Sequence, residues 1–319
     1  MNTIEQDFQS VLDGKKPANL YDPISYILMQ PGKRLRPQLV HIVVDMFGGN
    51  PEQARHVAMA FEMLHNFTLI HDDIMDVAPM RRGKETVYKK WNSNIAILSG
   101  DALAIMALQQ LMKLDCAPET IIKIADIFAK TALEICEGQQ YDLDFETQSD
   151  VSLDEYLNMI RLKTAVMFSG CLQAAAVLVN ADNESQQALY DFGTHLGLAF
   201  QLEDDVLDVY ATAPAFGKTI GGDIRDNKKT YLYLLALQQA SAAQHQQLVD
   251  LFAVPTSNFD EKFDIVKGIF DDLNIRQQTL KQVQHYANKS LQDLDKVHLP
   301  EDKKLILKEL SLKLVEREK

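Results

Sequence analysis

The sequence has too few cysteines for a disulfide framework. Cys116, Cys136 and Cys171 are scattered through 319 residues with no CxxC spacing. An odd, sparse set fits small buried side chains in a reducing compartment. Long apolar runs are absent too. The longest, AAAVLV at 174–179, is far short of the roughly 20 residues that span a bilayer. The opening stretch MNTIEQDFQSVLDG has neither the basic start nor the apolar core of a secretory signal. A cytoplasmic chain without a transmembrane segment is expected.

Positive charge is in short supply. The formal net charge of −13 argues against nucleic acid as a partner, because affinity there comes largely from lysine and arginine neutralising phosphates. The basic clusters that exist (Lys33, Arg34, Arg36; Arg81, Arg82, Lys84; Lys228, Lys229) stand out against an acidic background. Alternating apolar and polar runs bounded by turn residues are missing, so strands are few or absent. No linker rich in proline, glycine or serine divides the chain, which predicts one domain over 1–319.

What is present is helical periodicity. Leu189, Phe192, Leu196 and Phe200 recur at spacings of three and four, which lines one helix face. Asn50-Pro51 reads as an N-cap followed by proline at the first helical position, and Ser152 with Glu155 as a capping box. Helices are predicted near 3–13, 33–47, 51–77, 93–113, 118–146, 153–179, 184–210, 229–252, 259–292 and 301–316, with loops around 79–91, 211–228, 253–258 and 296–300. The fold class is all-α.

Two acidic patterns carry chemistry. Asp72, Asp73 and Asp76 stand at i, i+1 and i+4, and Asp204, Asp205 and Asp208 repeat that spacing. On a helix the first and last carboxylates of each set lie about 5.4–6 Å apart. At an effective dielectric near 20 they repel by roughly 2–3 kcal/mol. A solvated acidic patch explains one such cluster, but both interrupt apolar contexts, FTLIH before the first and LGLAFQL before the second. Oxygen-only donors favour a hard ion, and magnesium suits carboxylates completed by water and phosphate oxygens. Arg81 and Arg82 follow the first set, and Lys218, Lys228 and Lys229 follow the second. Arginine forks and lysine ammoniums suit phosphate. The pattern predicts a diphosphate site, with room for a second.

The motifs GKRLRP (32–37), FEMLHNFTLIHDDIMD (61–76), RRGKET (81–86), LSGD (98–101), EGQQYDL (137–143), RLKTA (161–165), FQLEDDVLD (200–208), FGKTIGGDI (216–224) and KKTY (228–231) resemble, in order and spacing, those of trans-isoprenyl diphosphate synthases. Two positions depart from the usual pattern: Pro31-Gly32 replaces a glycine pair before Lys33, and Leu232 stands where many members carry proline. The resemblance implies a single-domain bundle of ten or more long, mostly antiparallel helices around a deep central cavity, usually a homodimer. It implies three Mg²⁺ held by Asp72, Asp76, Asp204 and Asp208, with Asp73 and Asp205 in supporting positions of the same motifs. Arg81, Lys163, Lys218 and Lys228 would contact an allylic diphosphate, and Lys33, Arg36, His65 and Arg82 isopentenyl diphosphate. Lys163, Thr164 and Gln201 would flank the developing carbocation. Phe67 and Thr68, just before the first motif, would form the floor under the growing chain. A single aromatic there suggests a C20 product, with C15 the alternative.

A buried structural histidine is the ordinary explanation of His65, and packing against a neighbour that of Phe67. A terpene cyclase would lack the second diphosphate site. A di-iron bundle could use Glu62 and His65, but a second E-x-x-H is missing. Intact clusters argue against a non-catalytic subunit.

Overall fold

A computed structural model describes residues 4–211, 220–253 and 258–315. Helices α1 (Ile4–Leu12), α2 (Ala18–Leu28), α3 (Leu35–Met46) and α4 (Pro51–Met75) come first. A hairpin of β1 (Met80–Arg81) and β2 (Lys84–Glu85) follows, then α5 (Val87–Lys90), α6 (Ser93–Leu111) and α7 (Pro118–Thr147). After these come α8 (Leu153–Ile160), a π-helical turn (Arg161–Ala165), α9 (Val166–Leu178) and α10 (Asn183–Tyr210). The chain closes with α11 (Gly222–Arg225), α12 (Tyr231–Gln239), α13 (Ala242–Ala253), α14 (Phe259–Asp272), α15 (Ile275–Asp295) and α16 (Glu301–Val315). The all-α class holds; the only sheet among the described residues is that two-stranded hairpin.

The helix starts follow the sequence. The Asn50 side chain accepts the Glu52 N–H at 3.0 Å with Pro51 at the first position, satisfying one of the otherwise unpaired first-turn amides. Ser152 and Glu155 form the reciprocal capping box of α8. Several boundaries differ from expectation. Helix α2 was not foreseen: Pro17 is its N-cap, but Pro23 lies inside it, where the missing N–H usually marks a break. The expected 229–252 helix divides at Ala240, where Ser241 turns its hydroxyl and N–H to Gln244. The expected 259–292 helix divides at Asn274, whose φ of 54° is left-handed and ends α14. The expected 79–91 loop contains the hairpin.

The residues cluster into two compact units. One comprises residues 1–132, 167–190 and 296–307, the other 133–166, 191–295 and 308–319. Two of the boundaries fall inside α7 and α10. In the first unit α4 packs along α3 and α6. Leu39, Val43, Phe61, Leu64, Leu103 and Leu111 are buried there, each contributing on the order of 1.5–3 kcal/mol through burial. In the second unit Phe192, Leu196, Val206, Leu232, Val266 and Phe270 do the same. By length and composition α6 is the one helix among the described residues that could cross a membrane; one side of it packs along α4 and α2.

Candidate active site

In the first unit the aspartate motif sits at the C-terminal end of α4. Asp76 is the C-cap, its N–H bonding the Asp72 carbonyl at 2.8 Å, and no basic residue occupies the last turn. Carboxylates at the negative end of a helix dipole are electrostatically unfavourable unless a cation joins them. The three aspartates divide by exposure. Asp72 is half-buried and Asp76 exposed, whereas Asp73 is fully buried. Arg81 Nε donates to Asp73 Oδ1 at 2.7 Å, and Asp73 Oδ2 is buried without a hydrogen-bond partner. Burial, opposed by Arg81 and reinforced by Asp72 and Asp76, pushes the Asp73 carboxyl up to about 6.

The hairpin presents the two arginines. Met80 pairs with Glu85 and Arg81 with Lys84. Arg82 and Gly83, at φ 52° and 75°, supply the two left-handed residues of a tight I′ turn that matches strand twist. The Thr86 hydroxyl latches the hairpin by donating to the Ala78 carbonyl at 2.8 Å. Arg82 Nη1 is buried without a hydrogen-bond partner, and so is Arg36 Nε. The Arg36 guanidinium lies 5.0 Å from the Phe168 ring centroid, a cation–π distance. Burial, joined by Arg36, Arg82, Arg81 and Arg34, holds the half-buried His65 imidazole well below its ordinary pKa, so it is neutral. Lys33 is exposed at the start of the same segment.

Arg34 of the first basic cluster and Glu62 of the di-iron reading form an ion pair. Arg34, left-handed at φ 48°, caps α3. It bonds Glu62 at 2.8 Å, Glu5 at 3.1 Å, and the carbonyls of Leu28 and Gln30 at 2.5 and 2.9 Å. Glu62 is therefore an ion-pair partner of Arg34, which removes the support for a di-iron role. Phe67 is half-buried and meets His71 edge-on at 4.7 Å. Thr68 turns its hydroxyl to the His65 carbonyl at 2.8 Å.

In the second unit Asp204, Asp205 and Asp208 occupy the last two turns of α10, again with no basic residue in the final turn. The exposure pattern repeats: Asp204 and Asp208 are half-buried and Asp205 is buried. Asp208 Oδ2 accepts the Asp223 N–H at 3.1 Å, and its carbonyl the Gly221 N–H at 2.7 Å. Asp205 accepts from Tyr156 Oη at 2.5 Å and from Gln201 Nε2 at 3.1 Å. Burial, then the charges of Asp223 and Asp204, pushes its carboxyl well above the usual range.

The π-helical turn carries Lys163 and Thr164; such turns are rare and recur at functional sites. Two glycines let neighbouring backbones press against it. A Cβ on Gly138 would come within 2.3 Å of Lys163 N, and one on Gly197 within 2.4 Å of Ala165 Cα. Lys163 Nζ pairs with Asp142 Oδ2 at 2.5 Å, and Thr164 Oγ1 donates to Gln201 Oε1 at 3.0 Å. Lys228 is half-buried. Lys229, which the sequence grouped with the phosphate-suited lysines, instead donates to the Phe145 carbonyl at 2.6 Å and to that of Gln148, capping the end of α7. Lys218 lies outside the described residues.

The donors fit magnesium. They are carboxylate oxygens only, each set at a helix C-terminus whose own last turn carries no basic residue. Among the described residues no three His, Cys, Asp or Glu side chains form a complete metal cage. Magnesium takes one or two carboxylates and completes its shell with water and phosphate oxygens, so the aspartates suit it without such a cage.

The polyprenyl synthetase family model matches residues 17–269. The chain belongs to that family. It is 41% identical over 240 residues to a geranylgeranyl diphosphate synthase of Sulfolobus acidocaldarius, covering 75% of this chain and 72% of that protein. A crystal structure of a geranylgeranyl pyrophosphate synthase superposes with a TM-score of 0.93 at 43% identity, over 100% of both chains. A polyprenyl synthase from Caulobacter crescentus CB15, complexed with calcium and isoprenyl diphosphate, superposes with a TM-score of 0.89 at 28% identity, over 99% of this chain and 94% of that one. The expectation of a trans-isoprenyl diphosphate synthase, and so of a prenyltransferase, holds.

Proposed function

We propose that the protein condenses isopentenyl diphosphate with an allylic diphosphate, stopping mainly at the C20 geranylgeranyl diphosphate. The observation that carries this reading is the buried cationic cluster of the first unit. Arg36 Nε and Arg82 Nη1 are desolvated without a hydrogen-bond partner beside a neutral His65. An unsatisfied buried donor costs about 1–3 kcal/mol, more when charged, and a diphosphate would satisfy both. Lys33, Arg36, His65 and Arg82 then hold isopentenyl diphosphate, and Arg81, Lys163, Lys218 and Lys228 the allylic diphosphate. The names of the relatives, geranylgeranyl diphosphate synthases at 41% and 38% identity, support the C20 product.

Asp72, Asp76, Asp204 and Asp208 would hold Mg²⁺, three ions per site. The ions, when bound, neutralise charge developing on the departing diphosphate. The chain's own groups do the rest. Arg81 and Lys163 stabilise the leaving oxygens as the allylic C–O bond breaks. Thr164 and Gln201 turn oxygen lone pairs towards the carbocation left behind. The isopentenyl double bond attacks it, and a proton passing to the released diphosphate completes one five-carbon extension. Asp73 orients Arg81 through their 2.7 Å hydrogen bond.

We infer a homodimer in the cytoplasm. Leu98, Ile105, Leu108 and Met112, spaced seven, three and four apart, are exposed on one face of α6 and its C-cap. Such a stripe favours burial against a second copy. Ile105→Glu should yield monomers by light scattering on a sizing column. The function is tested by incubating purified protein with isopentenyl diphosphate, each allylic primer and Mg²⁺, then measuring chain length. Elongation ending at C15–C20 is expected; no isopentenyl incorporation would overturn the reading.

A further inference from the structure

Four side chains in the second unit form one continuous hydrogen-bonded chain. Tyr156 Oη donates to Asp205 Oδ2 at 2.5 Å, and Gln201 Nε2 to Asp205 Oδ1 at 3.1 Å. Thr164 Oγ1 donates to Gln201 Oε1 at 3.0 Å. Tyr156 and Asp205 are 4% and 3% exposed, so water does not compete for these groups.

The chain has a direction. Asp205 accepts on both oxygens, from Tyr156 on one side and from Gln201 on the other. The Gln201 amide must then face it with its nitrogen, which leaves Oε1 towards Thr164. Thr164 in turn gives its one hydroxyl proton to that oxygen, and its remaining lone pairs face away from the chain. A donor aimed the other way would present a partial positive charge where Thr164 is proposed to meet a cation. The phenol is the end of the chain that holds the carboxylate in place.

From this geometry we infer that Tyr156 is a positioning residue for the prenyl transfer, acting through Asp205 and Gln201 to set the polarity of the Thr164 hydroxyl. The inference rests on the function proposed above. Its weight falls on the ionisation step and not on diphosphate binding, because among the described residues the Tyr156 hydroxyl donates to Asp205, which leads to Thr164 through Gln201.

The test is a double-variant cycle on the full-length protein, read as steady-state kinetics with isopentenyl diphosphate, an allylic diphosphate and Mg²⁺, alongside the melting temperature. Tyr156→Phe keeps the ring and removes one hydroxyl. It should lower kcat on the order of tenfold, the weight of one buried hydrogen bond felt in the transition state, with KM for both substrates within about twofold. In a Thr164→Val background, which lacks the hydroxyl, Tyr156→Phe should change kcat little further; in a Thr164→Ser background, which restores it, the tenfold loss should return. Unchanged kcat in Tyr156→Phe overturns the inference, as does a loss that multiplies through the Thr164→Val background. A variant that melts far below wild type, or loses kcat and both KM values together, assigns Tyr156 to the core alone and also overturns it. A wild-type protein that incorporates no isopentenyl diphosphate fails the proposed function instead, so the two failures are distinguishable.

Discussion

Lys163 Nζ stands 2.5 Å from Asp142 Oδ2, joining the π-helical turn to α7. Both side chains are about one-fifth exposed, at 22% and 20%, so the amine is held at the boundary of the core and not inside it. A lysine among apolar neighbours is costly without a partner, and Asp142 supplies one whether or not phosphate is bound. Asp142→Asn keeps the shape and removes the charge. The expected outcome is a fall in kcat on the order of tenfold, the scale of a charge-assisted hydrogen bond, measured by isopentenyl incorporation. A rise in kcat/KM would show that Asp142 restrains Lys163 instead of orienting it.

Arg34 and Glu62 make an enclosed ion pair in the first unit, with side chains 9% and 3% exposed. Removing one member of a buried pair strands the other charge, which costs about 3–5 kcal/mol. Arg34→Met should therefore lower the unfolding free energy by that amount and loosen the turn that carries Lys33 and Arg36. Denaturant titration measures it. A change below about 1 kcal/mol, the scale of a surface ion pair, would contradict the clamp.

His65 gives a pH prediction with a definite sign. Its folded pKa is depressed below the ordinary 6.5, by burial first and then by four arginines. The unfolded chain takes up a proton that the folded state refuses. The contribution of His65 to stability is thus fully present above about pH 6.5 and is lost as pH falls towards the folded pKa. His65→Gln removes that loss. Between about pH 7.5 and 5.5, either side of the ordinary value, wild type should lose more stability than the variant; parallel losses would contradict the assignment. His41 and His56 are depressed in the same sense, so the difference between variant and wild type is the informative quantity.

Phe67 is five residues before Asp72, about 7.5 Å along the helix axis, and its ring meets His71. Phe67→Ala should shift product length beyond C20, seen by chromatography of the dephosphorylated alcohols. An unchanged distribution would leave Phe67 as packing alone.

The helices were legible because caps and periodicity are local. Asn50, Ser152 and the Leu189–Phe192–Leu196 face act within one or two turns, and each performs as read. The failures were local conflicts won by geometry. Pro23 was accepted inside α2, and Asn274 took a left-handed conformation in the middle of an unbroken apolar pattern. The aspartates were legible because a repeated i, i+1, i+4 spacing makes no sense on a structural helix. The division of labour within each set was not. Asp73 and Asp205 are buried and hydrogen-bonded by partners from other segments, and burial follows from packing, not from spacing. The residues that sequence reasoning missed are contacts of high separation: Tyr156 lies 49 residues from Asp205, and Arg34 lies 28 from Glu62. No period in the chain joins such pairs.

The central claim is that both aspartate sets serve one reaction. Kinetic additivity tests it, because groups acting as a unit show strongly non-additive losses. Turnover of isopentenyl diphosphate should be measured for Asp72→Asn, Asp204→Asn and the double variant at saturating Mg²⁺. Each single change is predicted to lower kcat by roughly 10²–10³, the cost of one lost transition-state stabiliser, with the double variant barely below the weaker single one. Near-wild-type turnover in either single variant, or a double variant whose loss is the product of the two, would contradict the account.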